Sequence, residues 1–216
     1  MKTKNFELYY DIISLLDNTM FGVGKMFTKI NKIIKKIKEG EKNEYSKLVE
    51  LFQQQIFRYC FFMLGQKEEA EDAAQEVFIK AYNNLDRFQV PGNFSAWLYK
   101  IAHNYCVNKL RQRKIISFLP INLDSFVLKA TLAFPGEERE LADDLKKALN
   151  QLTAVERSIV LMRVFEEKQY KEIAALLGYK LATLRKKYQR ACEKMQKYLL
   201  SSEGGKKGEY DFTSII

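Results

Sequence analysis

Few side chains in this sequence are able to do covalent chemistry, and their spacing favours binding over catalysis. His103 is the single histidine. A general base or a metal ligand needs a companion group, so His103 alone points to a contact or structural role. Cys60, Cys106 and Cys192 are far apart and form no CxxC pair. That spacing argues against a zinc site or a disulfide framework and fits a reducing, cytoplasmic setting. No Gly-rich phosphate loop, no convincing pair of catalytic carboxylates and no nucleophile beside a base is evident. The chain therefore reads as a protein without cofactor or metal, and not as an enzyme.

What remains is charge. Lys and Arg number 36 against 27 Asp and Glu, a formal net charge of +9. Such a balance suits a polyanionic partner, either nucleic acid or an anionic membrane surface. The sharpest local pattern is Glu172-Ile-Ala-Ala-Leu-Leu-Gly178, then Tyr179-Lys-Leu-Ala-Thr-Leu184 and a long basic helix. This is the spacing of a helix-turn-helix. Ala174 lets two helices cross closely, Gly178 permits the left-handed turn, and Ile173, Leu177 and Leu184 fill the small core. The last helix carries Arg185, Lys186, Lys187, Arg190, Lys194 and Lys197 with Glu193 its one acid. A helix entering the major groove between two phosphate rows needs such charge.

A second basic run closes an earlier helix. After the Pro91-Gly92-Asn93 loop, Ser95 is placed to cap a helix from Ala96 to about Lys114. Its far end holds Lys100, Lys109, Arg111, Arg113 and Lys114, with His103, Asn104 and Asn108 along the way and no acid. Dipole compensation needs less than this, so the face reads as a nucleic-acid surface. Trp97, Ile101 and Tyr105 recur at four-residue spacing, and Trp97 is assigned to the core. The preceding helix, roughly Lys67 to Phe88, buries Ala70, Ala73, Ala74, Val77, Ala81 and Leu85. Its acidic start suits the macrodipole, while Asp72, Glu76 and Asn83 share another face.

These segments require a positioning framework. Sparse Pro and Gly favour helices, giving an all-α fold of two small helical domains joined by a linker, the C-terminal one a helix-turn-helix. The expected organisation is an N-terminal extension over 1–25, a helical domain over 26–114, a linker over 115–137, a second domain over 138–200 and a flexible tail over 201–216. Within the first domain, Ile30, Ile33, Ile34 and Ile37 form a helical stripe with lysines between them. That stripe packs on the next helix, or lies on a membrane in the less favoured reading. Leu48, Phe52, Ile56 and Tyr59 share one face of a helix from Tyr45 to Leu64, with Gly65 as its stop. The start does not read as a signal peptide, and no run approaches membrane-spanning length, so an integral membrane protein is not expected.

Two blocks carry a family resemblance. Glu69-Ala-Glu-Asp-Ala-Ala-Gln-Glu-Val-Phe-Ile-Lys-Ala-Tyr82 and Phe94-Ser-Ala-Trp-Leu-Tyr-Lys-Ile-Ala-His-Asn104 resemble the first conserved domain of extracytoplasmic-function (ECF) sigma factors. Leu149-Asn-Gln-Leu-Thr-Ala-Val-Glu-Arg157 and Tyr170-Lys-Glu-Ile-Ala-Ala-Leu-Leu-Gly178 resemble their C-terminal domain. The resemblance implies an alternative sigma factor with bacterial core RNA polymerase and promoter DNA as partners. An anti-sigma factor is a candidate third partner. It implies that Asp72, Gln75, Glu76 and Phe78 bind core polymerase. It places Asn93, Lys100, His103, Asn104, Asn108, Arg111, Arg113 and Lys114 at the minus-ten element, where the loop Gln89 to Ser95 helps hold an extruded base. It places Ala182, Thr183, Arg185, Lys186, Lys187 and Arg190 at the minus-thirty-five element.

Departures from the family pattern are local. Lys180 and Leu181 stand where the family usually has a capping Ser, which weakens that helix terminus. The linker is apolar, with Ile115, Ile116, Phe118, Leu119, Ile121, Phe126, Val127 and Leu128. These residues are expected to pack the domains together or against an inhibitory partner. The main competing reading is a stand-alone helix-turn-helix regulator, which would have no use for a segment that binds core polymerase.

Overall fold

The computed structural model describes residues 23–117 and 145–202, with side chains described over 26–113 and 145–201. The 1–22 part of the extension, most of the linker with Phe126 and Leu128, the 203–216 tail and the Lys114 side chain lie outside the described residues. Among the described residues the framework helices are α1 Val23–Lys38, α2 Tyr45–Leu64, α3 Lys67–Asn83, α4 Phe94–Ser117, α5 Ala154–Val164, α6 Tyr170–Leu177 and α7 Leu181–Ser202. Residues 145–150 add a helical stretch before α5. No strand occurs among the described residues.

The stripe Ile30, Ile33, Ile34 and Ile37 is buried, so the apolar face of α1 is spent inside the first domain and is not presented to a membrane. Leu48, Phe52, Ile56 and Tyr59 are buried on α2. That helix ends where Gly65 turns left-handed at φ +85°, a conformation that costs a residue with a Cβ. The α3 stripe Ala70, Ala73, Ala74, Val77 and Ala81 is buried as expected, and its small residues let α2 and α4 approach.

Two helix ends differ from expectation. α3 stops at Asn83 rather than near Phe88. The Asn84 amide donates to the Lys80 carbonyl at 2.8 Å, competing with the helical ladder, and a 3₁₀ turn over Leu85–Arg87 follows. α4 starts at Phe94, and its cap is Asn93, whose Oδ1 accepts from the Ala96 N–H at 3.0 Å. Ser95 instead accepts a hydrogen bond from Lys168 Nζ at 3.2 Å.

In the second domain Thr153 and Glu156 form a reciprocal capping box that starts α5. Lys194 of α7 reaches the same Glu156 carboxylate at 2.8 Å, tying the long helix back to α5. Burial alone would raise the Glu156 pKa, but the bonds from Lys194 and Thr153 outweigh it and hold it below its ordinary value. Gly178, at φ +74°, makes the turn between α6 and α7. Ile173, Ala174, Leu184, Tyr188 and Ala191 are buried between the helices. Leu176 is buried where Leu177 was expected, and Leu177 packs at the edge. The difference is one residue of helical phase, which a seven-residue run does not define.

The two domains pack directly on one another. Ser158, fully buried, lies between Tyr59 Oη at 2.7 Å and His103 Nδ1 at 2.8 Å. Arg157 donates to the Met63 carbonyl at 2.7 Å and to Leu149 O at 2.9 Å. Arg58 pairs with Glu166 at 3.2 Å, and Phe62 stacks on Phe165 with ring centroids 5.0 Å apart. Lys168 Nζ lies 4.7 Å from the Tyr99 ring centroid. Side chains of α2 and α4 thus meet those of α5 and of the turn after it, Phe165 to Lys168, while the apolar linker residues beyond Ser117 lie outside the described residues.

Candidate nucleic-acid interface

The recognition helix α7 presents a clean outer face. Ala182, Thr183, Arg185, Lys186 and Arg190 are exposed. They begin at the helix N-terminus, where α6 and Gly178 hold the helix from behind. Lys187 is half-buried with Nζ 5.3 Å from the Tyr179 ring centroid, so it stands apart from the others. Beside this face, Arg163, Gln169, Tyr170, Lys171, Leu181 and Arg185 line a cavity. The Tyr170 ring lies between Arg163 at 5.1 Å and Arg185 at 5.9 Å. Cation–π contact of this kind fixes the direction of a guanidinium without neutralising it. Sequence reasoning missed Arg163, Tyr170 and Lys171, because they precede the recognition helix and only the turn brings them alongside it.

On the first domain, Asn93, Lys100, Asn104, Asn108 and Arg111 are exposed. Asn108 Oδ1 accepts from Arg111 at 3.3 Å, holding two of these groups together. Arg113 is different: it donates to the Leu64 carbonyl at 3.0 Å and is ion-paired with Glu69. Its guanidinium, partly exposed, braces the α2–α3 corner. His103 is turned into the domain interface against Ser158. Trp97 is half-buried against Phe88 at 5.3 Å and Phe94 at 5.6 Å, a packing role.

The acidic face of α3 is open. Asp72 and Gln75 are exposed and Glu76 is partly exposed, in a loose pair with Lys80 at 3.6 Å. Ile79 completes the strip at 52% exposure, the largest value among the exposed apolar side chains described. Phe78 departs from expectation: it is 8% exposed, beneath the helix, while its carbonyl accepts from Tyr45 Oη at 2.7 Å. Positions 74, 78 and 81 follow one helical face into the core, whereas 72, 75, 76 and 79 follow the other. An open acidic face of this kind suits a basic partner surface, where opposite charge steers docking.

Burial pulls the His103 imidazole down to about 4 from an ordinary value near 6.5. A depressed pKa means that the interface holds neutral His103. Its contribution to closure is complete above pH 6.5 and is lost as pH falls toward 4. Burial raises the carboxyl of Glu166, paired with Arg58 in the same interface, which acts in the opposite sense. The expected result is that wild type opens more readily than a His103→Asn variant between pH 7.5 and 5, as read by interdomain label distance. Equal pH profiles would show that His103 does not titrate against the interface.

Comparison with known proteins bears on the family of the chain. Residues 48–115 match the family model for sigma-70 region 2, and residues 142–195 match that for sigma-70 region 4. The ECF RNA polymerase sigma factor SigW of Bacillus subtilis is 28% identical over 180 residues, covering 79% of this chain and 96% of the relative. The RNA polymerase sigma factor YlaC of the same organism is 29% identical over 154 residues, covering 70% of this chain and 89% of the relative. Among solved structures, CnrH in complex with the cytosolic domain of CnrY superposes with a TM-score of 0.61 at 18% identity, covering 80% of this chain and 97% of that one. The sigma factor RpoE in complex with the anti-sigma factor NepR from Bartonella quintana gives 0.60 at 23% identity, covering 73% and 97%. At those identities the two structures bear on fold alone. With both sigma-70 regions present in order, each on a separate helical domain, this chain belongs to the sigma-70 family as an ECF-type alternative sigma factor, which binds core RNA polymerase, recognises promoter DNA and promotes strand opening for transcription initiation.

Proposed function

We propose that the strip Asp72, Gln75, Glu76 and Ile79 docks on core polymerase and that Asn93, Lys100, Asn104, Asn108 and Arg111 hold the opened minus-ten strand. Ala182, Thr183, Arg185, Lys186 and Arg190 enter the major groove at the minus-thirty-five element, with Arg163 and Lys171 on the flanking phosphates. The domain limits 26–114 and 138–200 and the intervening linker belong to the same reading. So do a cytoplasmic location, a role without chemistry of its own (polymerase supplies it) and an anti-sigma partner on the closed form. The observation that carries the reading is that all three faces are open at once on one chain.

The closed arrangement is not the promoter-bound one. A compact body of about 150 residues has a radius of gyration near 15 Å. Elements some 25 base pairs apart on duplex DNA are separated by roughly 80 Å. The segment 118–144, about 27 residues, reaches at most about 90 Å when extended, enough to join separated domains. Labels at Glu50→Cys and Lys197→Cys in a Cys192→Ser background test this. Their separation is expected to grow by tens of ångströms on promoter-bound polymerase. An unchanged separation would contradict the proposed division of labour between the domains.

A further inference from the structure

The loop after α3 is gripped from a distance by α1, and its grip is chemically specific. Asn31 sits inside the isoleucine stripe of α1 and is buried. Its Oδ1 accepts from the Gly92 N–H at 2.9 Å, and its Nδ2 donates to the Gly92 carbonyl at 3.3 Å and to Phe27 O at 2.9 Å. One amide thus holds both backbone groups of one loop residue, 61 positions away in the chain. Seven residues further along α1, Lys38 Nζ donates to the carbonyls of Asp86 at 2.9 Å and Phe88 at 2.7 Å. Gly92 itself admits no side chain: a Cβ there would lie 2.4 Å from Gln89 O and 2.7 Å from the Phe88 ring. Asn93 then caps α4. The loop is therefore fixed before, at and after its bend, while Gln89, Val90 and Asn93 stay exposed.

We infer that Asn31 and Lys38 are positioning residues that preset the loop Gln89 to Ser95 to read a base of the opened minus-ten strand, an inference that rests on the minus-ten role proposed above for Asn93 and on the resemblance that assigns this loop to an extruded base. A loop free in solution would lose conformational freedom on binding the base, and a loop already held does not. Asn31 is buried, and the Lys38 ammonium is engaged by the Asp86 and Phe88 carbonyls. Each acts through backbone groups of the loop, so its loss blurs base discrimination while leaving the outer faces of α3 and α7 intact.

The test uses holoenzyme reconstituted with cognate core polymerase. Its probe is a pool of duplexes carrying a short unpaired bubble with randomised non-template bases. Wild type enriches particular bases. Asn31→Leu and Lys38→Met are expected to lower that selectivity by about tenfold at one position, the scale of a single base readout. Core affinity and binding to a minus-thirty-five duplex should stay at the wild-type level, and Asn31→Asp, which keeps the acceptor for Gly92 N–H, should be intermediate. Lys38→Met serves where Asn31→Leu fails to fold, since Lys38 is exposed. A Gln89→Ala, Val90→Ala loop variant separates the two levels. If it loses selectivity while both α1 variants keep it, the inference is overturned and the loop function stands. If the loop variant keeps selectivity, the loop function falls and takes the inference with it.

Discussion

Replacing Asp72 and Glu76 together by arginine is expected to reduce affinity for core RNA polymerase by about a hundredfold or more. The physical reason is sign. Both carboxylates stand on the open face of α3, one turn apart, with exposed Ile79 completing the strip. Like-charge juxtaposition at an interface costs several kcal/mol, and about 3 kcal/mol already corresponds to a hundredfold. The fold should not suffer, because Asp72 is exposed and the Glu76–Lys80 pair is a loose surface contact of small value. Melting temperature beside co-elution with core separates the two effects. Ile79→Asp should weaken docking in the same way, whereas Phe78→Ala should act by loosening the core. If the double arginine variant co-elutes like wild type, α3 does not face the polymerase.

The second large effect is expected on α7. Arg185→Ala, Lys186→Ala and Arg190→Ala combined should weaken binding to a minus-thirty-five duplex by roughly a thousandfold, since each side chain that reads a base edge is worth about 1–3 kcal/mol. The salt dependence should also flatten, by about one unit of log–log slope for each cation withdrawn from a phosphate. Lys187→Ala alone should do less, since its ammonium is engaged over Tyr179. Arg163→Ala should lower the slope without changing base preference, because it sits beside Tyr170 at the edge of the recognition face. A combined variant that keeps the full salt slope would remove these side chains from the phosphates.

Much of the architecture is legible in the residue pattern. Helical periodicity places the isoleucine stripe of α1 and the alanine stripe of α3. Gly65 and Gly178 mark turns whose left-handed backbone only glycine adopts cheaply. The helix-turn-helix is readable because Ala174, Gly178 and Leu184 each have one physical reason to be there. What escapes is long-range. His103 and Arg113 both lie on a basic helix, and periodicity cannot say that in this arrangement His103 bonds Ser158 and Arg113 donates to the Leu64 carbonyl. The resemblance puts Phe78 on the docking face, yet its helical phase turns it inward beside Ala74 and Ala81. Ser95 yields the capping role to Asn93 two positions earlier. Asn31 does leave a trace: a lone amide inside an isoleucine stripe needs a buried partner. Its partner, Gly92, cannot be guessed from spacing.

The most direct test of the central claim is transcription by cognate core polymerase on genomic DNA fragments, with and without the protein, mapping transcript 5′ ends. With the protein present, new discrete start sites should appear, sharing sequence around ten and thirty-five positions upstream, and the Asp72→Arg, Glu76→Arg variant should yield none of them. If core gives the same ends with or without the protein, while the protein alone binds specific duplex sites, it acts as a stand-alone regulator and not as a sigma factor.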